Sequence, residues 1–530
     1  MTNQPTQQWG SRLGVILAVA GSAVGLGNFL RFPGQAAANG GGAFMIPYFC
    51  ALILLGIPIG WAEWAMGRFG GRKGFHSAPA ILGIWCKGAA GRYLGVFGVL
   101  IPLGVYFYYV IIESWCLYYF LSYCGGGLGI PDAGSVAEQV TSSKAFYASA
   151  KGESAHGALF ASRVHPVVWA FVITAAANLW FVYRGLSKGI EAVCKYAMPV
   201  MAILGIIVLV RVLTLGTPDA AAPDQSVLGG LGFMWNPKWE ALGEFDTWLA
   251  AAGQIFFSLS VGFGVIINYA SYMKKKDDVV LSGLTASATN EFFEVVLGGL
   301  ITITAAVVFL GITAVQGSKG SFDLGFNTLP VVFARMPGGD FFGAAFFLIL
   351  FLAAITSSLS MLQPTKAFFE ESLGIDKKKS TLLVTAWGLG GNAVVLYFTA
   401  NTTVLNTIDF WVGTFFILVV AAVQIIAFGW IFGLERGIAE AHEGARLRIP
   451  VFFQVVIKYV CPLYLAVVLV GFCVQNLGGE IRGLIDNRDA QIAWAVILLT
   501  IGGLVAITAI GARRWRAQGL DLDGRLPAKD

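Results

Sequence analysis

The segment AGSAVGLGNFLRFP, residues 20–33, decides the fold, because it places three glycines, a serine and an asparagine inside an apolar run long enough to cross a membrane. A second apolar run is interrupted in the same way by SLSVGFG, residues 258–264. Each glycine weakens a helix by about 1 kcal/mol relative to alanine. Either segment alone could instead serve close packing of helices through small residues. Together, the two segments predict two membrane helices that are unwound near their middle.

The composition around these segments is that of a membrane protein. The 530 residues are 57% hydrophobic and only 12% charged, with a mean hydropathy of +0.73. A soluble domain usually carries about twice that charged fraction. The apolar runs are continuous, and many reach the roughly 20 residues that a helix needs to cross a bilayer, which favours helices over a barrel. A soluble multidomain protein is thereby excluded, and no basic block suggests a nucleic-acid partner.

Twelve such runs extend along the chain, and we predict that each is a membrane-spanning helix. Their approximate bounds are 13–37, 43–66, 93–121, 167–184, 191–214, 247–270, 281–314, 341–372, 381–398, 405–433, 450–474 and 491–512. The interrupted runs are the first and the sixth, which is the same place in two successive units of five. Breaks in corresponding positions are typical of transporters built from two inverted repeats. The predicted parts are tails at 1–12 and 513–530, repeats at 13–214 and 247–433, and a last pair of spans at 450–512.

The charges of the loops predict the orientation in the membrane. Every segment that follows an even-numbered span is basic. The basic residues in question are Arg68, Arg72, Lys73, Lys87, Arg92, Arg184, Lys188, Lys274 to Lys276, Lys377 to Lys379, Arg436, Arg446, Arg448, Arg513, Arg514 and Arg516. Basic loops stay in the cytoplasm, so both termini should be cytoplasmic and the polar loop at 125–164 external. The opening residues MTNQPTQQW lack the basic region of a signal peptide, so we expect the first span to insert uncleaved.

Several motifs, taken together, resemble those of the neurotransmitter:sodium symporters. Besides residues 20–33, the motifs are WGSRLG at 9–14, NGGGAF at 39–44, EWAMGR at 63–68, QIFFSLS at 254–260, LSGLT at 281–285, TSS at 356–358 and DFW at 409–411. They occur in order and with compatible spacing. The resemblance implies an all-α integral membrane protein of about twelve transmembrane helices, with the five-plus-five inverted repeat of the LeuT-like fold and unwound helices 1 and 6. It also implies a sodium-coupled secondary active transporter that works by alternating access.

A site for a free amino acid must satisfy both charges of a zwitterion. The unwound part of span 1 offers the N–H groups of Leu26 and Gly27 at a positive helix end, which suits a carboxylate. Carbonyls freed at Ala23 and Phe257, with the hydroxyl of Ser258, suit the amine. The resemblance adds Tyr109 as a donor to the carboxylate, although a tyrosine in an aromatic run is also consistent with a core residue. The substrate-binding residues that we expect are Ser22, Ala23, Leu26, Gly27, Val105, Tyr109, Phe257, Ser258, Ser260, Phe263, Ser357 and Met361.

The pocket predicts an apolar substrate. Ser22, Ser258 and Met361 stand where a bacterial member of the family has asparagine, threonine and isoleucine, which leaves the pocket apolar and of similar volume. No acidic residue replaces Gly25 or its neighbours to hold a biogenic amine. We therefore expect a neutral, aliphatic amino acid such as leucine, alanine or methionine. Because Met361 is flexible, a larger or aromatic substrate is the alternative.

Sodium is a hard cation that takes oxygen ligands, by the same logic as calcium and magnesium. By resemblance, a first sodium site uses Ala23, Asn28, Ser258 and Asn290, together with the substrate carboxylate. Substrate and ion would then raise each other's affinity. A second site, between spans 1 and 8, uses Gly21, Val24, Ala353, Thr356 and Ser357. For the two hydroxyls an alternative is a bond to the carbonyl of the preceding turn.

Charged residues inside spans are costly and indicate function. Arg31 and Asp409 resemble an external gate pair, which should close over the substrate with Tyr109 and Phe257, and Gln254 lies nearby. Glu294 stands where chloride-dependent members are neutral, so we expect no chloride requirement; proton countertransport through Glu294 is a further hypothesis. Trp9, Tyr272 and Glu371 resemble a cytoplasmic gate. No Lys or Arg precedes Arg12, so how Glu371 is paired is open.

Other function classes are less consistent with these residues. A sensor of the same fold could bind an amino acid without transporting it. A membrane enzyme is disfavoured because the four histidines, His76, His156, His165 and His442, lie in predicted loops or at span ends. A channel is disfavoured because a site that dehydrates a zwitterion does not suit fast conduction. We expect an amino acid and the lipid bilayer as partners, the plasma membrane (a bacterial inner membrane, by resemblance) as location, and either packing or a homodimer as the role of spans 11 and 12.

Overall fold

The computed structural model describes residues 9–152, 165–317 and 320–523. Residues 1–8 and 524–530 of the predicted tails, residues 153–164 with His156, and residues 318–319 lie outside the described residues. The spans, numbered 1 to 12, are Arg12–Ala23 with Gly27–Ala38, Gly42–Arg72, Ala89–Cys124, Pro166–Arg184, Leu186–Leu213, Phe245–Leu259 with Val265–Ala270, Val279–Leu310, Gly339–Leu373, Lys377–Tyr397, Thr403–Ile431, Val451–Asp486 and Arg488–Ala517.

This set confirms the prediction of about twelve membrane helices with breaks in the first and the sixth. Within the described residues, ten helices are long and apolar enough to cross a membrane without interruption. The two halves of span 1 meet the same test together, with a bend of 45° between them. Span 6 brings the total to twelve, and it is divided into halves of 15 and 6 residues.

Both breaks show the backbone geometry that their small residues predict. In span 1 the helix ends at Ala23, and Val24 has an extended backbone with ψ near 98°. In span 6, Ser260, Gly262 and Gly264 all have positive φ angles, of 55°, 74° and 85°. Positive φ is easily adopted by glycine and is uncommon for serine. The break in span 6 is therefore a left-handed turn that two glycines make possible.

The spans extend further than hydropathy alone predicted. Span 2 continues to Arg72 and span 11 to Asp486, beyond the predicted ends at 66 and 474. Helical hydrogen bonding continues past the apolar run into the polar layer at the membrane surface, where hydropathy gives no signal. The prediction also did not separate short helices within the loops, because helices of 8 to 16 residues are shorter than the runs that cross a membrane. These helices include Ala78–Trp85, Val136–Lys151, Val227–Trp235 and Leu434–His442.

Burial separates a central group of spans from a peripheral one. In the most apolar window of span 3, 94% of residues are buried, and in those of spans 7 and 8, 83%. Spans 4, 5, 11 and 12 bury only 33%. Apolar residues that remain exposed on a spanning helix face lipid, so the peripheral spans form the outer wall. The unwound segments lie against the central spans.

Both ends of the described chain lie at one end of the bundle, which we call the terminal face; the other end is the opposite face. Lys73, after span 2, forms an ion pair of 2.9 Å with Asp521. The fully buried Arg68 pairs with Glu440 at 2.9 Å, and Arg72 contacts the same carboxylate at 2.9 Å. These ion pairs hold the end of span 2 against helix Leu434–His442 and the last described residues.

Candidate functional site

The two unwound segments face each other in the middle of the bundle and enclose a small cavity with spans 3 and 8. Ten of the twelve predicted substrate residues line it, together with Gly25 and Asn28. The ten are Ser22, Ala23, Gly27, Tyr109, Phe257, Ser258, Ser260, Phe263, Ser357 and Met361. The other two adjoin it, since the N–H of Leu26 bonds Tyr109 and Val105 lies buried one turn before Tyr109 in span 3.

The polar end of the cavity is built from backbone N–H groups and the phenol of Tyr109. Leu26 N–H donates to Tyr109 Oη at 3.0 Å, and Gly25 N–H donates to Asn28 Oδ1 at 2.8 Å. Because Tyr109 accepts the bond from Leu26, its own O–H is left to donate to a second acceptor. A Cβ placed on Gly25 would lie 2.7 Å from Tyr109 Oη and 2.8 Å from Ser357 Oγ. Only glycine allows span 1 to approach spans 3 and 8 this closely.

The predicted ligands of the first sodium site converge beside this polar end. Asn28 Nδ2 donates to Asn290 Oδ1 at 2.8 Å, and Asn290 Nδ2 donates to Ser258 Oγ at 2.6 Å. Ala23 lines the same cavity. The side chains come from spans 1, 6 and 7, so no single helix forms this cluster. Amide and hydroxyl oxygens are neutral, hard donors of the kind that an alkali cation prefers.

Glu294 lies at the centre of the same hydrogen-bond network and is fully buried. Its Oε1 accepts from Gln254 Nε2 at 2.8 Å. Its Oε2 accepts from Asn28 Nδ2 at 3.2 Å and from Asn290 Nδ2 at 3.1 Å. Three amide donors thus point at one carboxyl group, which suits a negative charge in a dry interior. Two of those donors are predicted sodium ligands.

The residues predicted for the second sodium site lie where spans 1 and 8 meet. Ser357 Oγ is 3.4, 3.1 and 3.3 Å from the carbonyl oxygens of Gly21, Ser22 and Val24. Thr356 Oγ1 donates instead to carbonyls of its own helix, at 3.0 Å to Ala353. The alternative interpretation of a bond to the preceding turn therefore describes Thr356 in this structure. Ser357 contacts a group of three carbonyls on the other helix.

On the opposite-face side of the site, the predicted gate residues line one cavity of about 300 Å³ without pairing. Asp409 accepts a hydrogen bond of 2.6 Å from Tyr108, and the Arg31 guanidinium lies 4.4 Å from the ring centre of Phe257. Gln254, predicted near the gate, is turned toward Glu294. Phe257 and Tyr109 line both this cavity and the substrate cavity, so they separate the two.

On the terminal-face side the predicted gate residues are closely packed. Trp9 Nε1 donates to the Tyr269 carbonyl at 3.0 Å, and Tyr272 stacks on His76 at 4.2 Å. Burial lowers the pKa of His76 to about 4, so the stacked ring is neutral at pH 7. Glu371 accepts from the N–H groups of His76 and Ser77, at 2.7 and 2.9 Å. Its partners are thus the N–H groups of the two residues just before helix Ala78–Trp85, which answers how this acid is satisfied without a cation from the tail.

Sequence reasoning missed two partners at the gates. Tyr108 bonds Asp409, and His76 stacks on Tyr272. A signal existed for the first, because Tyr108 belongs to the aromatic run at 106–109 from which only Tyr109 was selected. The second had no local signal, since His76 lies in a loop after span 2 and meets span 6 only in the folded protein.

With the geometry in place, comparisons with known proteins agree on one family. A family model described as "Sodium:neurotransmitter symporter family" matches residues 6–129 and 133–511. The chain is 30% identical over 474 residues to an uncharacterized sodium-dependent transporter of Methanocaldococcus jannaschii, covering 88% of this chain and 91% of that protein.

More distant relatives include a transporter of Drosophila and a protein of known structure. The sodium-dependent serotonin transporter of Drosophila melanogaster is 26% identical over 528 residues, covering 94% of this chain and 81% of that protein. Among solved structures, MhsT in complex with L-phenylalanine superposes with a TM-score of 0.72 at 26% identity, covering 88% of this chain and 99% of that chain.

Proposed function

Because the chain belongs to the sodium:neurotransmitter symporter family, and is therefore a sodium-dependent secondary transporter of the membrane and not an enzyme, we propose that it couples sodium to the uptake of a neutral, apolar amino acid without chloride. One observation carries the proposal. The Asn28–Asn290–Ser258 cluster and the polar end formed by Leu26 and Tyr109 lie in contact around one cavity. Such an arrangement lets a substrate carboxylate and a sodium ion share a site.

The lining of the cavity supports an amino acid over an amine. Its apolar wall includes Phe257, Phe263 and Met361, and its polar end offers donors for a carboxylate. Among the described residues that line this cavity none is Asp or Glu, so the positive end of an amine would have no carboxylate partner. We infer an aliphatic amino acid such as leucine, alanine or methionine. An aromatic amino acid is the alternative, favoured by the flexibility of Met361 and by the L-phenylalanine in the MhsT complex.

Two sodium sites are part of the proposal. The first is the cluster of Asn28, Ser258, Asn290 and Ala23. The second is formed by Ser357 and the carbonyl oxygens of span 1 that it contacts, those of Gly21, Ser22 and Val24. The first would touch the substrate and couple the two affinities directly, because each ligand strengthens a site that the other completes. The second would fasten span 1 to span 8 without touching the substrate, so it would act on the equilibrium between conformations.

Chloride independence follows from Glu294. Its carboxyl group accepts three amide bonds next to the first sodium site, so its negative charge would balance the cation while sodium is bound. In that role no chloride is needed. A proton carried outward on Glu294 after sodium leaves is the corresponding proposal for countertransport.

We also propose the arrangement in the membrane. The terminal face carries the basic segments that follow even-numbered spans, so we place it in the cytoplasm, in a bacterial inner membrane. Residues 13–214 and 247–433 act as the two inverted repeats, and the substrate is exposed to each side in turn as they tilt around it. Spans 11 and 12 lie outside the repeats, and their exposed apolar faces suit lipid or a second copy of the chain.

A binding panel tests the substrate and the ions together. The purified protein is titrated with each of the twenty amino acids and with serotonin, in sodium chloride, sodium gluconate and potassium chloride. We expect one apolar group of amino acids to bind in both sodium salts and not in potassium chloride. Binding of serotonin alone would overturn the amino-acid proposal, and binding only in sodium chloride would overturn chloride independence.

A further inference from the structure

One carboxylate holds the start of span 1 in place. Glu191, in the first turns of span 5, accepts from Gly10 N–H at 2.9 Å and from Ser11 Oγ at 3.0 Å. Both donors immediately precede helix Arg12–Ala23, whose first N–H groups have no partner within the helix. The positive end of the helix dipole also favours a carboxylate at this place. Glu191 therefore holds the residues just before span 1, including Ser11, whose Oγ caps the helix by accepting from Gly14 N–H.

The carboxylate of Glu191 fits against span 1 because residue 14 is a glycine. A Cβ on Gly14 would lie 1.9 Å from Glu191 Oε1 and 2.2 Å from its Cδ. Any larger residue at this position would displace the carboxyl group from Gly10 and Ser11. Glu191 is only 9% exposed, so its hydrogen bonds are largely shielded from water.

An ion pair at the start of span 1 is more exposed than the bonds to Glu191. Arg12 pairs with Asp278 at 3.4 Å, but the Arg12 side chain is 34% exposed. Exposed ion pairs contribute little because water and salt screen them. Glu371, whose pairing the sequence left open, is satisfied by His76 and Ser77. Within the described residues, the start of span 1 is thus held by buried bonds from Trp9 to the Tyr269 carbonyl and from Gly10 and Ser11 to Glu191, and the bonds to Glu191 are the ones that join it to span 5.

We propose that Glu191 is the latch of the cytoplasmic gate: it holds the first half of span 1 against span 5 and must release Gly10 and Ser11 before substrate and sodium leave on that side. This role rests on the proposed function, since it requires alternating access. Glu191 holds helix Arg12–Ala23 at its first end, and Gly21, of the second sodium site, lies near its other end. Sodium and Glu191 therefore favour the same position of one rigid helix, and each strengthens the other.

The protein contains its own reporter of this movement. Cys194 lies three residues after Glu191, is fully buried, and packs so closely on span 1 that a Cβ on Gly21 would lie 2.9 Å from its Sγ. When the first half of span 1 leaves span 5, Cys194 becomes exposed to the cytoplasm. Alkylation by N-ethylmaleimide, measured by mass spectrometry of the peptide that contains Cys194, separates it from the other six cysteines.

The first variant is Glu191→Gln, which keeps the shape and removes the charge. Without sodium, we expect Cys194 in full-length Glu191→Gln to react about tenfold faster than in the wild type, because charge-assisted bonds are lost. Saturating sodium should slow the reaction back to the wild-type rate. A variant that is simply misfolded would react fast with sodium as well. Glu435→Gln, which changes an exposed carboxylate at the same face, is the matched control and should leave the rate unchanged.

A second variant tests the fit at Gly14. Gly14→Ala alone should expose Cys194 in the same way as Glu191→Gln, because the new methyl group displaces the carboxylate. In a Glu191→Ala background, Gly14→Ala should have no further effect, because the carboxylate that it would displace is absent. Additive effects of the two changes would contradict the contact.

Two failures are distinguishable. Suppose that sodium protects Cys194 in the wild type. If Glu191→Gln then reacts at the wild-type rate under all conditions, or reacts fast even in sodium, the proposed role of Glu191 is wrong, while the proposal of sodium-coupled transport is unaffected. If sodium gives no protection in the wild type and no amino acid binds, the proposed function itself fails.

Discussion

At the scale of single residues, the site depends on a few polar groups that belong to different helices. Tyr109 contributes a phenol, Asn28 and Asn290 contribute amides, and Glu294 contributes the carboxyl group to which both amides donate. Each is buried, so each bond is made in a dry environment where losing it is costly. Single substitutions at these positions should therefore weaken binding and also lower the free energy of unfolding.

The first such substitution is Tyr109→Phe. It removes the hydroxyl that bonds Leu26 and that we propose donates to the substrate carboxylate. A hydrogen bond to a charged group contributes about 1.5–3 kcal/mol, so the substrate Kd should rise about tenfold to hundredfold in equilibrium binding. Tyr106→Phe is the control, because its ring packs near Gly388 away from the cavity, and it should bind normally. Equal affinity in Tyr109→Phe would remove Tyr109 from the site.

A second substitution, Glu294→Ser, tests the charge balance. Wild-type uptake should be the same in chloride and in gluconate. The variant should lose most uptake in gluconate and regain it in chloride, because a mobile anion replaces the missing carboxylate. The measurement is initial uptake into proteoliposomes with each anion. Chloride-insensitive uptake by the variant would show that Glu294 does not stand in for chloride.

At the scale of elements, the site exists because spans 1 and 6 are unwound in the middle of the bundle. The sequence predicted both breaks from their glycines, and most of the residues that line the cavity lie in or beside those breaks, whereas Tyr109, Ser357 and Met361 came from the resemblance to the family. What it did not predict are contacts between elements that are distant in the chain. Tyr108 with Asp409 and Glu191 with Gly10 join helices through the tertiary fold, and no periodicity within either segment signals them.

A substitution in the unwound segment tests how tightly the elements meet. Gly25→Ala would bring a methyl group within 2.7 Å of Tyr109 Oη and 2.8 Å of Ser357 Oγ, so spans 3 and 8 would have to move apart. Overpacking of this kind costs about 1–3 kcal/mol. We expect the variant to have a lower thermal unfolding midpoint and to lose substrate binding.

The control for Gly25→Ala is Gly253→Ala. Gly253 lies in span 6 and has no heavy atom within 4 Å of an added Cβ, so alanine should be tolerated there or should stabilise the helix. Normal binding by Gly25→Ala would show that the close approach of span 1 to spans 3 and 8 is not required.

At the scale of the whole molecule, hydropathy and the runs of small residues predicted about twelve spans with breaks in two of them, because the bilayer imposes length and apolarity on each span. They did not predict the state of the gates. In this structure the terminal-face gate is packed through Trp9, Tyr272 and Glu191, while Arg31 and Asp409 remain apart on the opposite side. Which gate is closed depends on the equilibrium between two conformations, one with each gate closed. The same sequence must be able to adopt both conformations.

The measurement that tests the central claim most directly is accumulation of a labelled apolar amino acid in proteoliposomes, with an inward sodium gradient and with potassium in its place. We predict accumulation above the external concentration only with the sodium gradient, and its loss when a sodium ionophore dissipates that gradient. Binding of the amino acid without accumulation would contradict transport and indicate a sensor, and equal uptake in potassium would contradict sodium coupling.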